Sequence, residues 1–187
     1  MKLKNIKEIL DSGTSQEKIK TLESLAFTND PEIIKKIILK LDDDDIQVRG
    51  EAFSSLVLNE NEISEVLIES LNSDSKNIRG FVALVLANRE DTNSISKIEK
   101  MTKDDRSMVR SCALGALGHL KAKQAKDAIE SCLTDSNLEV KKSALQAAIK
   151  IDDVISEKLI KEISREADPE LERMLACVKR RSGPEGI

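Results

Sequence analysis

Hydrophobic residues recur along this 187-residue chain at the three- and four-residue spacing that is typical of amphipathic helices. The segment DPEIIKKIILKL, residues 30–41, shows this pattern clearly. Asp30 is a suitable N-cap, and Pro31 suits the first helical position. The apolar side chains fall on one stripe, formed by Ile33, Ile34, Ile37, Ile38 and Leu41. The segment therefore predicts a helix that buries one face.

A second pattern follows the first and then repeats along the chain. Four segments align on a basic ninth residue: LDDDDIQVRGEA (41–52), LNSDSKNIRGFV (71–82), TKDDRSMVRSCA (102–113) and LTDSNLEVKKSA (133–144). The ninth residues, at spacings of 30, 31 and 31, are Arg49, Arg79, Arg110 and Lys141. Weaker copies fit at 10–21 and 164–175. A fixed period of this length predicts an array of structural repeats.

Each period holds two helical patterns, and a polar turn that can cap the second helix lies between them. The aromatic content of 2%, without Trp or Tyr, argues against strands. We predict an all-α fold, a right-handed α-solenoid (α/α superhelix) of about six helix pairs. One domain should cover residues 1–181, followed by a flexible tail at 182–187. The predicted pairs span residues 3–28, 30–59, 62–89, 92–120, 122–151 and 154–181. Their second helices should begin near residues 15, 46, 76, 107, 137 and 169, and the first helix of the fourth pair should cover 92–102.

The turn motif resembles that of HEAT-like repeats, in particular the short repeats of the phycobilisome-lyase type. The matching feature is an Asp-containing turn followed by Val-Arg or Ile-Arg, as in DIQVRGEA and SKNIRGFV. In that family the turn aspartate and the arginine of adjacent repeats form a ladder of hydrogen bonds. The resemblance implies that Asp44, Asp74 and Asp105 meet Arg79 and Arg110 one repeat later. The implied ladder consists of Asp44, Arg49, Asp74, Arg79, Asp105, Arg110 and Lys141.

The four consecutive aspartates at 42–45 have a second interpretation as a cation site. Consecutive carboxylates at the start of a helix diverge, whereas a calcium loop spaces its ligands at alternate positions and needs a turn glycine. We therefore expect a structural turn and no bound metal.

Catalytic chemistry finds little support in the sequence. His119 is the single histidine, and Leu120 follows it, so the His-Glu motifs of the iron-dependent hydroxylases built on HEAT-like repeats are absent. The alkylpurine DNA glycosylases of HEAT-like fold need a basic face and aromatic residues, which this acidic chain lacks. We predict a non-enzymatic scaffold or adaptor without a cofactor. An accessory subunit of an enzyme, similar to a bilin-lyase factor, is the alternative because the short repeat is shared, and a nucleic-acid-binding HEAT-like protein ranks third.

A helical wheel of the second helices separates a core arc from an opposite arc. Residues one before, three after and seven after each aligned basic residue are apolar and should face the partner helix. The opposite arc is small and weakly charged, which suits either a groove floor for a peptide or tight packing of neighbouring helices. The residues of this arc that we predict to contact a partner are Gly50, Ser54, Gly80, Leu84, Asn88, Ser111, Gly115, His119, Lys142 and Gln146.

Charge is distributed unevenly along the chain. Residues 41–75 carry ten acidic side chains against Arg49 alone, although the net charge of the whole chain is only −4. We predict that the partner is another protein with a basic segment, rather than a nucleic acid or a membrane. The three cysteines lie in apolar contexts and should be buried thiols, which together with the absence of a long apolar run favours a cytoplasmic monomer.

Overall fold

The computed structural model describes residues 3–181, and all regular secondary structure in this part of the chain is helical, with twelve α-helices and no strand. The helices are α1 (Leu3–Ser12), α2 (Ser15–Glu23), α3 (Pro31–Leu39), α4 (Ile46–Leu58), α5 (Ser64–Ser70), α6 (Lys76–Asn88), α7 (Ile95–Lys100), α8 (Ser107–His119), α9 (Lys126–Ser131), α10 (Leu138–Lys150), α11 (Glu157–Ile163) and α12 (Pro169–Arg181). The predicted all-α solenoid class and its six helix pairs are confirmed.

The second helices agree with the sequence prediction better than the first helices do. From α4 onward each second helix has 13 residues and begins within one residue of its predicted start. The first helices are shorter than predicted. The helix predicted at 92–102, for example, consists of α7 between two 3₁₀ turns. A 3₁₀ turn tightens the chain just before the polar turn. Such turns follow four first helices, at Lys40–Asp42, Met101–Lys103, Cys132–Thr134 and Ser164–Glu166.

The helices divide into two compact units, Met1–Ser94 with α1 to α6 and Ile95–Ile187 with α7 to α12. Each unit holds three of the six pairs. The assignment of one continuous domain to residues 1–181 stays a prediction, and the predicted tail at 182–187 lies outside the described residues.

Apolar side chains between the helices of each pair form the core of each unit. Every residue of the predicted core arc is buried, so this part of the wheel is confirmed. These residues are Val48, Ala52, Leu56, Ile78, Val82, Leu86, Val109, Ala113, Leu117, Val140, Ala144 and Ala148. The prediction of three buried thiols holds for Cys132, but Cys112 is half-buried and Cys177 is exposed.

In the second unit, α8 and α10 pack closely at a glycine. A Cβ atom added to Gly118 would lie 2.9 Å from the Cα atom of Ala147. Real Cβ atoms do not approach backbone so closely, so the glycine permits the contact between these helices. Gly118 therefore serves packing.

Three second helices end on a residue in the left-handed backbone region: Glu90, Lys121 and Asp152, with φ angles of 56°, 51° and 59°. After α8, the N–H of Lys121 donates to the carbonyl of Gly118 at 3.2 Å, and the N–H of Ala122 donates to that of Leu117 at 3.0 Å. This pair of bonds is a Schellman motif, which satisfies the last carbonyls of the helix. The motif usually employs glycine, because other residues are strained there.

Replacing Lys121 with glycine should stabilise the protein. The side chain is exposed and φ is positive, so relief of backbone strain should exceed the greater flexibility of glycine in the unfolded chain. We expect Lys121→Gly to raise the free energy of unfolding by about 0.5–1 kcal/mol in denaturant titrations. Lys121→Ala, which retains Cβ, is the matched control and should give no such gain. An equal gain in both variants would assign the effect to loss of the lysine charge.

Candidate functional site

The basic ninth residue of the repeat holds its own turn together. The Nη1 atom of Arg49 donates to the carbonyl oxygens of Asp43 at 2.7 Å and Asp44 at 3.1 Å. Arg79 does the same with Ser73 and Asp74, at 2.8 and 3.0 Å. These carbonyls belong to turn residues outside the helices, and the arginine supplies donors for them.

Each of the four consecutive aspartates makes a different contact. Asp45 caps α4 by accepting from the N–H of Gln47 at 2.8 Å. Asp43 accepts from the ammonium of Lys18 at 2.8 Å, and Asp44 contributes its backbone carbonyl to Arg49. Asp42 accepts from the side-chain amide of Asn77 at 2.7 Å. The carboxylates thus diverge as predicted, and within residues 3–181 no three His, Cys, Asp or Glu side chains are grouped so that they could hold a metal ion.

Ion pairs between adjacent repeats form the rungs of a ladder. Lys18 binds Asp43 in the first unit. In the second unit, Arg110 binds Asp135 through two parallel bonds, Nε to Oδ2 at 2.8 Å and Nη2 to Oδ1 at 2.9 Å. The side chains of Asp43 and Asp135 are only 8% and 13% exposed. Burial raises the pKa of Asp135, but the hydrogen bonds from Arg110 and from the N–H of Asn137, together with the nearby positive charges, lower it below its usual value.

The register of these rungs differs from the one that the family resemblance implied. The basic residue meets the acid of the following repeat, and that acid occupies the third position of the turn rather than the fourth. The physical reason is that a third-position carboxylate also accepts the backbone N–H two residues on, as Asp135 does from Asn137 at 2.8 Å, which orients it inward. The fourth-position residues Asp44, Asp74 and Asp105 instead have exposed side chains, and their carbonyls accept from the arginines of their own turns.

Lys142 lies in the ladder region rather than at the surface. Its side chain is 9% exposed, and its ammonium contacts Asp168 at 2.8 Å and Glu170 at 2.6 Å. The hydrogen bonds from Lys142 to these two carboxylates raise its pKa. The sequence predicted Lys141 as the ladder residue of this repeat. The described ion pair between α10 and the turn before α12 is instead made by its neighbour Lys142, with Asp168.

The junction between α4 and α6 departs from the ladder pattern. The third position of the next turn is Ser73, a residue without charge, whose Oγ accepts from the N–H of Ser75 at 3.2 Å. Arg49 keeps the two carbonyl bonds of its own turn, but its Nε and Nη2 atoms have no partner among the described residues. The same two atoms of Arg110 hold Asp135.

An apolar groove lies beside Arg49. It has a volume of about 380 Å³ and is lined by Ile46, Arg49, Gly50, Phe53, Phe81 and Leu84. Ile46 is 72% exposed at the start of α4, and a Cβ atom added to Gly50 would meet nothing within 4 Å. Gly50 is therefore not required for helix packing, unlike Gly118.

The residues predicted to contact a partner are distributed between surface and interior. Gly80 and Lys142 are buried, so neither offers a contact surface. Leu84, Ser111 and Gly115 are half-buried. The exposed members of the set are Gly50, Ser54, Asn88, His119 and Gln146. Of the whole set, Gly50 and Leu84 lie together in the groove.

Sequence reasoning missed a second set of contacts, at the C-terminal end of α4. The guanidinium of Arg89 donates to the carbonyls of Leu56 at 3.0 Å, Asn61 at 2.9 Å and Asn59. The side chain of Asn59 donates in turn to the carbonyl of Thr28 at 2.8 Å. Arg89 has no equivalent one period later, where the sequence has Leu120, so the repeat gave no signal for this clamp.

Comparisons with known proteins agree with the repeat architecture. Residues 64–153 match the family of HEAT repeats. Among solved structures, an engineered protein is 21% identical and aligns over 98% of this chain and 100% of its own, with a TM-score of 0.57. A structure described under TOG–tubulin binding specificity is 18% identical over 95% of this chain and 82% of its own, with a TM-score of 0.56. A designed armadillo repeat protein in complex with the peptide (KR)4 is 17% identical over 95% and 98%, with a TM-score of 0.53.

These likenesses are to the fold. A search of curated proteins gave no significant match. The phycobilisome-lyase subtype stays a prediction. None of the helices within residues 3–181 combines the length and the apolar character needed to cross a membrane.

Removing a rung should destabilise the protein in a pH-dependent way. Arg110→Ala would leave the nearly buried Asp135 without its cation, and we expect a loss of about 1–3 kcal/mol in the free energy of unfolding at neutral pH. Because the folded-state pKa of Asp135 is lowered, the stability that it contributes is present above its unfolded pKa and is lost as the pH falls through its folded pKa.

The difference in stability between wild type and Arg110→Ala should therefore shrink below about pH 4. Urea titrations at neutral and acidic pH measure it. A difference that does not change with pH would contradict the charge-dependent rung.

Adding the missing rung should stabilise the first unit. Ser73→Asp would place a carboxylate at the third position, opposite the two uncommitted donors of Arg49, and we expect a gain of about 0.5–1 kcal/mol. The neutral control Ser73→Asn can still accept the N–H of Ser75 but cannot form the ion pair. If melting experiments in low salt show no advantage of Asp over Asn, Arg49 does not reach this position.

Proposed function

We propose that this chain, a HEAT-like repeat protein, is a non-enzymatic module that binds another protein in the groove between α4 and α6. The groove itself carries the proposal. Phe53, Phe81 and Leu84 line it, and Ile46, which also lines it, is largely exposed. Exposed apolar surface of this kind, rimmed by polar residues, is where soluble proteins bind partners.

The bare position of Gly50 supports this use of the groove. A helix-interior glycine costs about 0.5–1 kcal/mol relative to alanine, and no neighbouring atom explains that cost here. The absence of a side chain keeps the groove open to a partner's backbone or side chain. Gly80 cannot serve the same purpose because it is buried.

The acidic side chains of the second repeat define the charge of the partner that we propose. Asp44, Asp74, Glu65 and Glu69 are exposed, and of these Asp44 and Asp74 flank the N-terminal ends of α4 and α6. A basic segment would be drawn to this surface over about 10 Å at moderate salt. The designed armadillo protein of similar fold is bound to the peptide (KR)4, which gives a precedent for a basic ligand on a helical repeat.

Filling the groove should abolish binding without unfolding the protein. Gly50→Gln adds a long uncharged side chain where space is open, and it replaces a helix-interior glycine, so its stability should not fall. Affinity capture from a lysate of the source cells, quantified by mass spectrometry, should recover a protein with wild type and lose it with Gly50→Gln. Ser96→Gln, at an exposed position of α7 outside the groove, is the matched control.

Charge reversal tests the electrostatic part separately. Glu65→Lys with Glu69→Lys should slow association of the captured protein and weaken its dependence on salt, since both side chains are exposed on α5. Glu62 is left unchanged because it interacts with Arg89. Burial lowers the pKa of Arg89, and the charges of Asp91 and Glu62 partly offset this effect.

For the Gly50→Gln experiment, capture of equal amounts of the protein by wild type and by the variant would refute binding in the groove.

A further inference from the structure

We propose that Arg49 binds a carboxylate of the partner, and that the ligand of the groove is a segment in which an acidic residue stands beside a large apolar side chain. This inference rests on the proposed function and specifies the chemistry that the groove would select. It follows from the one junction of the first unit at which the ladder residue is not acidic.

The donors of Arg49 are arranged as they are in an arginine that already holds a carboxylate. In both Arg49 and Arg110, Nη1 is fixed by two carbonyls of the local turn, so that the guanidinium plane is oriented before any acid binds. Arg110 then uses Nε and Nη2 for the two oxygens of Asp135. In Arg49 these two parallel donors remain uncommitted among the described residues, and their orientation has already been set.

The surroundings of Arg49 specify what accompanies the carboxylate. Arg49 forms part of the lining of the groove, and every other lining side chain is apolar or absent. A carboxylate at the guanidinium therefore brings the neighbouring ligand residue over Phe53, Phe81 and Leu84. The exposed carboxylates of Asp44 and Asp74 disfavour additional acids, so the ligand carries one acidic residue within an otherwise basic or neutral segment.

Panning a library of random peptides displayed on phage tests the inference with a defined probe. Wild type, Arg49→Gln, Ser73→Asp and Ser73→Asn are immobilised in parallel, after melting curves have verified that each is folded. With wild type and Ser73→Asn, the enriched peptides should share one Asp or Glu next to an aliphatic or aromatic residue. Arg49→Gln should lose this enrichment. Ser73→Asp should lose it as well, because its own carboxylate then occupies the two donors of Arg49.

The best selected peptide then provides the quantitative measurement. Replacing its acidic residue with the corresponding amide should weaken binding to wild type about tenfold, as expected for a charge-assisted pair. The same replacement in the peptide should not change its affinity for Ser73→Asp. The four affinities form a double-mutant cycle that measures the coupling between the acidic residue of the peptide and residue 73.

Each result has a distinct meaning. Peptides that bind wild type without a shared acid, or whose acid is equally preferred by Arg49→Gln, overturn the assignment of Arg49 and leave binding in the groove intact. A library that yields no peptide for wild type overturns both this inference and the proposed function. Enrichment of the acid that is sensitive to Arg49 and Ser73 confirms the inference.

Discussion

The basic side chain at the ninth position of the repeat turn is the contact on which the order of this structure depends. Within its own repeat it satisfies two carbonyls that precede the second helix, as Arg49, Arg79 and Arg110 all do. Toward the next repeat, Lys18 and Arg110 each bind a nearly buried carboxylate. Arg110 thus fixes both the entry into its helix and the spacing to the following pair, which accounts for a basic residue that recurs with the period of the chain.

The helices and their buried faces could be predicted from the sequence because they follow from a local pattern. Val48, Ala52 and Leu56 are apolar at helical spacing, and all three are fully buried. The sequence alone could not predict which aspartate of each turn takes part in the ladder. Asp43 and Asp44 are identical in type and adjacent, and only the turn conformation decides which one points inward.

Three-dimensional neighbours, rather than sequence context, also decide the meaning of the glycines. Gly50 and Gly118 both lie inside second helices, yet a Cβ atom would meet open space at the first and the backbone of Ala147 at the second. Gly118 therefore serves the packing of helices, whereas the contact of Gly50 with a partner stays a prediction. The contacts of Arg89 had no periodic counterpart, so no alignment of the chain with itself could have indicated them.

The neutral residue at position 73 also leaves one end of the junction between α4 and α6 with fewer polar contacts. At the junction of α4 and α6, Arg89 fastens the C-terminal end of α4 through three carbonyls, while the described polar contact at the N-terminal ends is the exposed bond from Asn77 to Asp42. Two helices that are held firmly at one end and by fewer contacts at the other are expected to move mainly at the second end. Ile46 and Arg49, which line the groove, lie in the first turn of α4, at this less constrained end. We therefore expect the width of the groove at this end to vary more readily than the packing of the buried core, which would let side chains of different sizes enter.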